Sequence, residues 1–291
     1  MKRRVLVTGG AGGQLGRELE RHVPGDVQLW NLSRQRLDVT DPDAVNAAVT
    51  RFRPDWIINA AAYTAVDRAE QDPSRAHAVN GEGVGHLARA AAAGGARLLQ
   101  VSTDFVFDGR RGSPYQPGDA PNPLNVYGAS KLAGERQALE TLGQKAVIMR
   151  TAWVYASHGN NFVRTMLRLM NERDNLRVVA DQVGSPTWAG GLARAVWLSV
   201  ERELGGIHHW TDAGVASWYD FAVAIQEEAL ARGLLRRAAT LHPVSSAEFP
   251  GPARRPSYSV LDKGPTWRAL DCQADHWRVA LRKMLGEFRD G

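Results

Sequence analysis

A glycine-rich stretch set between a short apolar run and a helical pattern constrains this chain more than any other feature. Residues 4–8, Arg4-Val5-Leu6-Val7-Thr8, have the character of a buried strand, residues 14–22 the spacing of a helix, and between them stands Gly9-Gly10-Ala11-Gly12-Gly13-Gln14-Leu15-Gly16. Glycine tolerates the backbone angles of a tight turn and lets another backbone approach closely. Placed where a strand hands over to a helix, such a loop brings a pyrophosphate onto the unpaired N–H groups and positive end of that helix. The chain therefore reads as a dinucleotide binder whose first element pair carries the phosphates.

The rest of the first half supports a doubly wound α/β sheet. Apolar runs at 27–30, 56–59, 98–101 and 146–150 predict further strands. Helical patterns separate them: Asp41 is an N-cap with Pro42 at the first helical position, and a longer helix starts near Pro73 and stops at Gly94-Gly95. The segment holding Tyr127 lies on the next helix. Strands alternating with helices in this way predict a parallel, Rossmann-type sheet over residues 1–155, with segments within 175–205 returning to it. Beyond Arg150, helices at 160–172, 188–202, 217–230 and 274–288 predict a smaller, mostly helical substrate lobe, discontinuous over 156–291. In the last of these helices Trp277, Leu281, Met284, Leu285 and Phe288 recur at helical spacing and read as core packing.

Composition excludes several classes. With 291 residues and 44% hydrophobic content the chain can bury a sizeable core. No run of eighteen apolar residues is present, and Met1-Lys2-Arg3-Arg4 leads straight into a strand, so a soluble, cytoplasmic protein without membrane contact is expected. The single cysteine, Cys272, permits no internal disulfide. A net charge of +5 comes from dispersed arginines, without zinc-finger spacing, and suits a phosphate-bearing substrate better than nucleic acid. His208 and His209 are neighbours in a strand pattern and point to opposite faces, so no metal site is predicted there. Arg254 and Arg255 suit either a substrate diphosphate or a solvated surface.

Chemistry concentrates in Ser102-Thr103-Asp104 and Tyr127-Gly128-Ala129-Ser130-Lys131. On a helix, residues four apart share a face, so the Lys131 ammonium is expected beside the Tyr127 ring. A tyrosine with pKa near 10 would be lowered by that cation and could exchange a proton with a substrate oxygen. Thr103, at the end of the fourth strand, would bond the same oxygen. Such a set suits carbonyl reduction. For the cofactor, an NAD-selective site places an acid about twenty residues after the glycine loop. Here Asn31-Leu32-Ser33-Arg34 offers no carboxylate, and Arg34 can meet a 2′-phosphate, which predicts NADPH over NADH.

The spacing Gly10-x-x-Gly13-x-x-Gly16 is that of the short-chain and extended reductases, and longer motifs resemble one branch of them. Asn59-Ala60-Ala61-Ala62-Tyr63-Thr64-Ala65-Val66-Asp67, Ser102-Thr103-Asp104-Phe105-Val106-Phe107-Asp108-Gly109, the Tyr127–Lys131 segment and Arg150-Thr151-Ala152-Trp153-Val154-Tyr155 are similar to the dTDP-4-dehydrorhamnose reductases. The likeness continues through 159–164, 181–187, Ser217-Trp218-Tyr219-Asp220-Phe221-Ala222 and Arg255-Pro256. It implies hydride transfer from NADPH to the C4 ketone of dTDP-4-dehydro-L-rhamnose, with Tyr127 as proton donor and Lys131 binding the nicotinamide ribose. Thr103 stands for the serine of many short-chain reductases. The resemblance further places Gly13, Gln14 and Leu15 in the phosphate loop, Asp38 and Val39 at the adenine, Ala60, Ala61, Ala62 and Tyr63 along the ribose, and Thr103, Asp104 and Trp153 against the sugar. Two departures are an extra glycine ahead of Gly13 and Phe105 where tyrosine is common. Some members hold magnesium at an acidic dimer interface; that cluster is not locatable here, which leaves magnesium and a homodimer open. Reduction of another 4-keto-6-deoxyhexose nucleotide, nucleotide-sugar epimerisation, and an NADP-binding regulatory subunit without turnover are the alternatives.

Overall fold

A computed structural model describes residues 2–289. Strands β1 (Arg3–Thr8), β2 (Val27–Leu32), β3 (Trp56–Asn59), β4 (Arg97–Thr103), β5 (Ala146–Thr151) and β6 (Gly206–His209) form one six-stranded sheet in the order β6-β5-β4-β3-β1-β2. Every neighbouring pair is parallel. The longer helices are α1 (Gln14–Arg21), α2 (Pro42–Phe52), α3 (Gly83–Gly94), α4 (Val126–Leu142), α5 (Phe162–Glu172), α6 (Ala189–Glu201), α7 (Trp218–Ala231) and α8 (Trp277–Gly286).

Alternate strand residues go to opposite faces, and each face is covered by helices. Val5, Val7, Ile58, Leu99, Val147 and Met149 pack with Leu19 of α1 and Leu192, Val196 and Val200 of α6. Leu6, Ile57, Leu98 and Ile148 pack with Val45 and Val49 of α2, Leu87 and Ala91 of α3, and Ala138 of α4. Coverage on both sides explains why these strands read as continuous apolar runs. Each large aliphatic side chain so buried contributes about 1.5–3 kcal/mol. Strand order reverses at β1, which has β2 on one side and β3 on the other. In an open parallel sheet the crevice for a ligand opens there, beyond the carboxyl ends of the strands.

The C-terminal segments build a second core from Met166 and Met170 of α5, Phe221 and Ile225 of α7, and Trp277, Leu281, Met284 and Leu285 of α8, with Phe288 against it. Within 156–291, α6, which falls inside 175–205, packs on the large sheet, and β6 and the short helix Gly264–Leu270 lie with it too. Asp41 caps α2 as expected, accepting from the Asp43 and Ala44 amides, and Gly95 ends α3 with φ +75°. The helix expected to run unbroken from Pro73 instead contains a π turn at Ala78–Glu82. Four other elements are additional to those expected: the helices Val66–Gln71 and Gly264–Leu270, and the two strands of a parallel pair joining Asn175–Val179 to Thr240–Val244.

Candidate active site

A cleft of about 790 Å3 opens over the carboxyl ends of β1, β3, β4 and β5. Its walls include Gly13, Gln14, Leu15, Arg34, Asp38, Val39, Ala60 to Tyr63, Thr103, Asp104, Tyr127, Lys131 and Trp153. Of the cofactor, catalytic and sugar-side residues named from the sequence, all but Gly10 meet this one cleft. Gly10 lies beneath it: its amide donates to the Leu32 carbonyl at 3.1 Å, and a Cβ on Gly16 would fall 2.0 Å from the Gly10 oxygen. Gly10 and Gly16 therefore let α1 seat directly on the end of β1. Gly9 has φ +66°, and a Cβ there would lie 2.4 Å from Cα of Ala61.

Gly13 is the N-cap of α1 and makes no side-chain cap, so the first N–H groups of this helix are not claimed by a side chain. Together with open space around Gly12, this fits the pyrophosphate of a dinucleotide. Beyond the end of β2, Arg34 pairs with Asp38 at 3.4 Å. The Asp38 carboxylate also accepts from the Thr40 amide and hydroxyl at 3.0 and 2.8 Å. Those bonds, led by the Thr40 amide and helped by Arg34, hold its carboxyl below the usual range.

Asparagines that the sequence did not single out shape the middle of the cleft. Asn59, at the end of β3, accepts from the Thr8 hydroxyl at 2.6 Å and from the Ala61 amide at 3.1 Å. Asn80 projects from the π turn, accepting from the Tyr63 amide at 2.8 Å and donating to the Tyr63 carbonyl and the Ser130 hydroxyl, each at 3.0 Å. It thereby ties the Ala60–Tyr63 segment to α4. A π turn is a common device at functional sites because it turns a side chain out of register.

At the far end, Asn125 caps α4, accepting from the Gly128 amide at 2.8 Å. Thr103 donates its hydroxyl to Asp104 at 3.0 Å, accepts from the Phe105 amide at 3.2 Å, and lies in hydrogen-bond reach of the Tyr127 phenol. The Lys131 ammonium donates to the Val101 carbonyl at 2.6 Å. Burial pushes the Tyr127 phenol up to about 12, with Asp104 adding to the rise and Thr103 opposing it. This reverses the expected lowering: Lys131 is not among the groups acting on the phenol, because its ammonium is turned to β4. Burial also lowers Lys131 to about 8, against the pull of Glu135, and raises Asp104 to about 6, against hydrogen bonds from Ser259 and Thr103. A neutral phenol is the form a proton donor needs, and an alkoxide is basic enough to take its proton.

Two sequence candidates fall elsewhere. Arg255 is bound to Asp67 at 2.8 Å, Arg254 is exposed, and neither lines the cleft. Among the described residues, no group of three or more His, Cys, Asp or Glu is placed to hold a metal ion, and no helix is long and apolar enough to cross a membrane.

Comparison with known proteins decides the lineage. Residues 3–290 match the family model described as RmlD substrate binding domain. The dTDP-4-dehydrorhamnose reductase of Aggregatibacter actinomycetemcomitans is 43% identical over 97% of this chain and 98% of its own length. This chain belongs to the dTDP-4-dehydrorhamnose reductase family. It is accordingly an NAD(P)H-dependent oxidoreductase. The crystal structure of the Bacillus anthracis family member, in complex with NADP, superimposes with a TM-score of 0.93 at 37% identity, covering 99% of this chain and 100% of that one. A Thermus thermophilus UDP-glucose 4-epimerase shares the fold, with a TM-score of 0.79 at 23% identity over 98% of this chain and 99% of that one.

Proposed function

We propose that this family member reduces the C4 ketone of dTDP-4-dehydro-L-rhamnose to dTDP-L-rhamnose with NADPH, and that Tyr127 is the proton donor. The observation that carries this reading is the placement of the Tyr127 phenol, beside the Thr103 hydroxyl, in the same cleft as the glycine loop. Bound NADPH supplies the hydride. Gly13, Gln14 and Leu15 hold its pyrophosphate on the first N–H groups of α1, Arg34 meets its 2′-phosphate, and Ala60 to Tyr63 border its ribose. Lys131 holds the nicotinamide ribose while anchored to β4.

As the ketone gains charge, Tyr127 gives its proton to the oxygen and Thr103 orients that oxygen. General acid help of this kind is worth roughly a hundred- to ten-thousand-fold. Asp104 and Trp153 border the sugar. The sheet unit carries the cofactor, and Gly159 and Asn160 of the C-terminal segments border the same cleft.

The test is stoichiometric loss of reduced-nicotinamide absorbance with dTDP-4-dehydro-L-rhamnose, with the product identified by NMR. One NADPH consumed per dTDP-L-rhamnose formed supports the assignment. Interconversion of epimers without net consumption would replace it with epimerase chemistry, and cofactor binding with no turnover on any 4-keto sugar nucleotide would leave a regulatory subunit.

A further inference from the structure

Trp153 stands two residues beyond the end of β5 and borders the cleft with φ +47°, a left-handed conformation that a bulky side chain rarely adopts. Such a conformation persists only where surrounding contacts over-determine it. Three contacts do so here. The Trp153 carbonyl accepts from the Thr187 amide at 3.2 Å. Its indole stacks on that of Trp218, with ring centroids 3.6 Å apart and planes 7° from parallel. Gly184 comes so near that a Cβ there would lie 2.7 Å from Cε2 of Trp153.

Gly184 and Trp218 are themselves tied together. Val183–Gly184 pairs antiparallel with Ala216–Ser217, one residue ahead of Trp218. Ser217 locks the start of α7 through a reciprocal capping box with Asp220. On its other edge, Val183 exchanges backbone bonds with Ser257 and Ser259, both 2.8 Å, and Ser259 faces the Asp104 carboxyl. One small ribbon from the C-terminal half thus reaches both Trp153 and the Asp104 side of the cleft. Phe162 of α5 packs on Trp218 at 4.7 Å, so the ribbon is backed by the second core.

We propose that Trp218 and Gly184, neither of which lines the cleft, are positioning residues that fix the Trp153 indole as a wall for the hexose ring of the nucleotide sugar. This rests on the assignment of Trp153 to the sugar made above. Trp218 supplies the flat face on which Trp153 lies. Gly184 supplies the room, since any larger residue drives the indole off that face. A rigid wall selects a hexose ring by shape at little entropic cost, because the ring and its support are set before the substrate arrives.

The experiment compares Trp218→Ala, Trp218→Phe, Gly184→Ala and Trp153→Ala as full-length enzymes. Trp218→Ala and Gly184→Ala should each raise KM for the sugar nucleotide about tenfold or more, leaving the NADPH dissociation constant and kcat within a factor of about three. Trp218→Phe keeps an aromatic face and should recover most of that loss. Stacked indoles couple their electronic transitions, so the circular-dichroism couplet of the pair should vanish in Trp218→Ala and Trp153→Ala and change in Gly184→Ala. Gly184→Ala carries the question if Trp218→Ala fails to fold, since Gly184 has no positive φ that alanine would strain. Trp153→Ala raising KM while both supporting variants keep native KM would overturn the positioning role alone. Native KM in Trp153→Ala would overturn the sugar contact and the positioning role with it.

Discussion

The Lys131 ammonium donates to the carbonyl oxygen of Val101 at 2.6 Å, which fastens α4 to β4 two residues before Thr103. Glu135 follows Lys131 by one helical turn, so Tyr127, Lys131 and Glu135 share a face of α4. Glu135 in turn accepts from the Ser102 hydroxyl and is paired with Arg150 at 2.7 Å, both partners being fully buried. This face of the helix is therefore pinned to β4 and β5 by charged groups.

Lys131 stands at about 8 in the folded protein against an ordinary value of 10.5. Activity that needs the ammonium should fall as pH rises through about 8, while Tyr127, at about 12, stays protonated. Stability moves the other way: the unfolded chain binds the extra proton between those two lysine values, so the fold gains stability as pH rises from about 8 to 10.5. A kcat/KM profile against pH, with denaturant titrations at matched pH, checks both signs. A profile flat to pH 10 would contradict the first.

Removing the phenol tests the proton donor directly. Tyr127→Phe keeps the ring that packs edge-on against Phe105 at 5.8 Å and loses only the hydroxyl. Its kcat should drop by roughly a hundred- to ten-thousand-fold, with NADPH affinity by fluorescence titration essentially native. Native turnover in this variant would remove Tyr127 from the chemistry.

Much of this geometry was legible in the residues, for reasons that differ by element. The inner strands of the large sheet announced themselves because both faces are covered, and the glycine loop because Gly9, Gly10 and Gly16 are demanded by close approach. The helix Val66–Gln71 was silent: Ala65 precedes it and offers no capping side chain. The parallel pair of Asn175–Val179 with Thr240–Val244 joins segments about 65 residues apart, with several outward-facing polar side chains, and local pattern carries no record of such pairing. Tyr127, Lys131 and Thr103 were legible as types at the right spacing. The direction of the Tyr127 shift was not, because helical spacing places Lys131 on the same face without saying that its ammonium turns to Val101.

The Glu135–Arg150 pair should be more costly to break than to replace. Glu135→Gln leaves the Arg150 charge buried without a counter-charge and should destabilise by about 3–5 kcal/mol. The double change Glu135→Leu with Arg150→Met should recover most of that loss in urea titration, although Ser102 then lacks its acceptor. Equal destabilisation by the single and double variants would show that the partners do not depend on each other.

Asp104 is held at about 6 by burial, above the ordinary 3.8, so the native state binds the extra proton between those values. Stability consequently declines as pH rises from about 3.8 to about 6, and the cost stays in full above that. Asp104→Asn should remove it, gaining up to about 3 kcal/mol at pH 7 and almost nothing at pH 4, while weakening substrate binding. Thermal or urea unfolding at the two pH values reads the difference, and an equal effect at both would assign it to something other than the carboxyl charge.

On the proposed adenosine side of the cleft, Arg34 and Asp38 pull against each other. Arg34 is exposed and bound at 3.4 Å to a carboxylate that Thr40 already holds, so the pair is weak and a 2′-phosphate can compete for the guanidinium. Asp38 neutralises part of that charge and repels the incoming phosphate. Arg34→Ala should therefore raise KM for NADPH by roughly tenfold and leave that for NADH nearly unchanged, because NADH lacks the phosphate. Asp38→Asn should shift the ratio toward NADPH by a few-fold, since it removes repulsion and keeps a hydrogen-bond acceptor for Thr40. Both preferences should shrink as salt is raised, the Debye length falling from about 10 Å at 0.1 M to about 3 Å at 1 M. Steady-state kinetics with each cofactor at low and high salt separates the cases. An NADPH preference that survives Arg34→Ala would place 2′-phosphate recognition on another residue of this cleft.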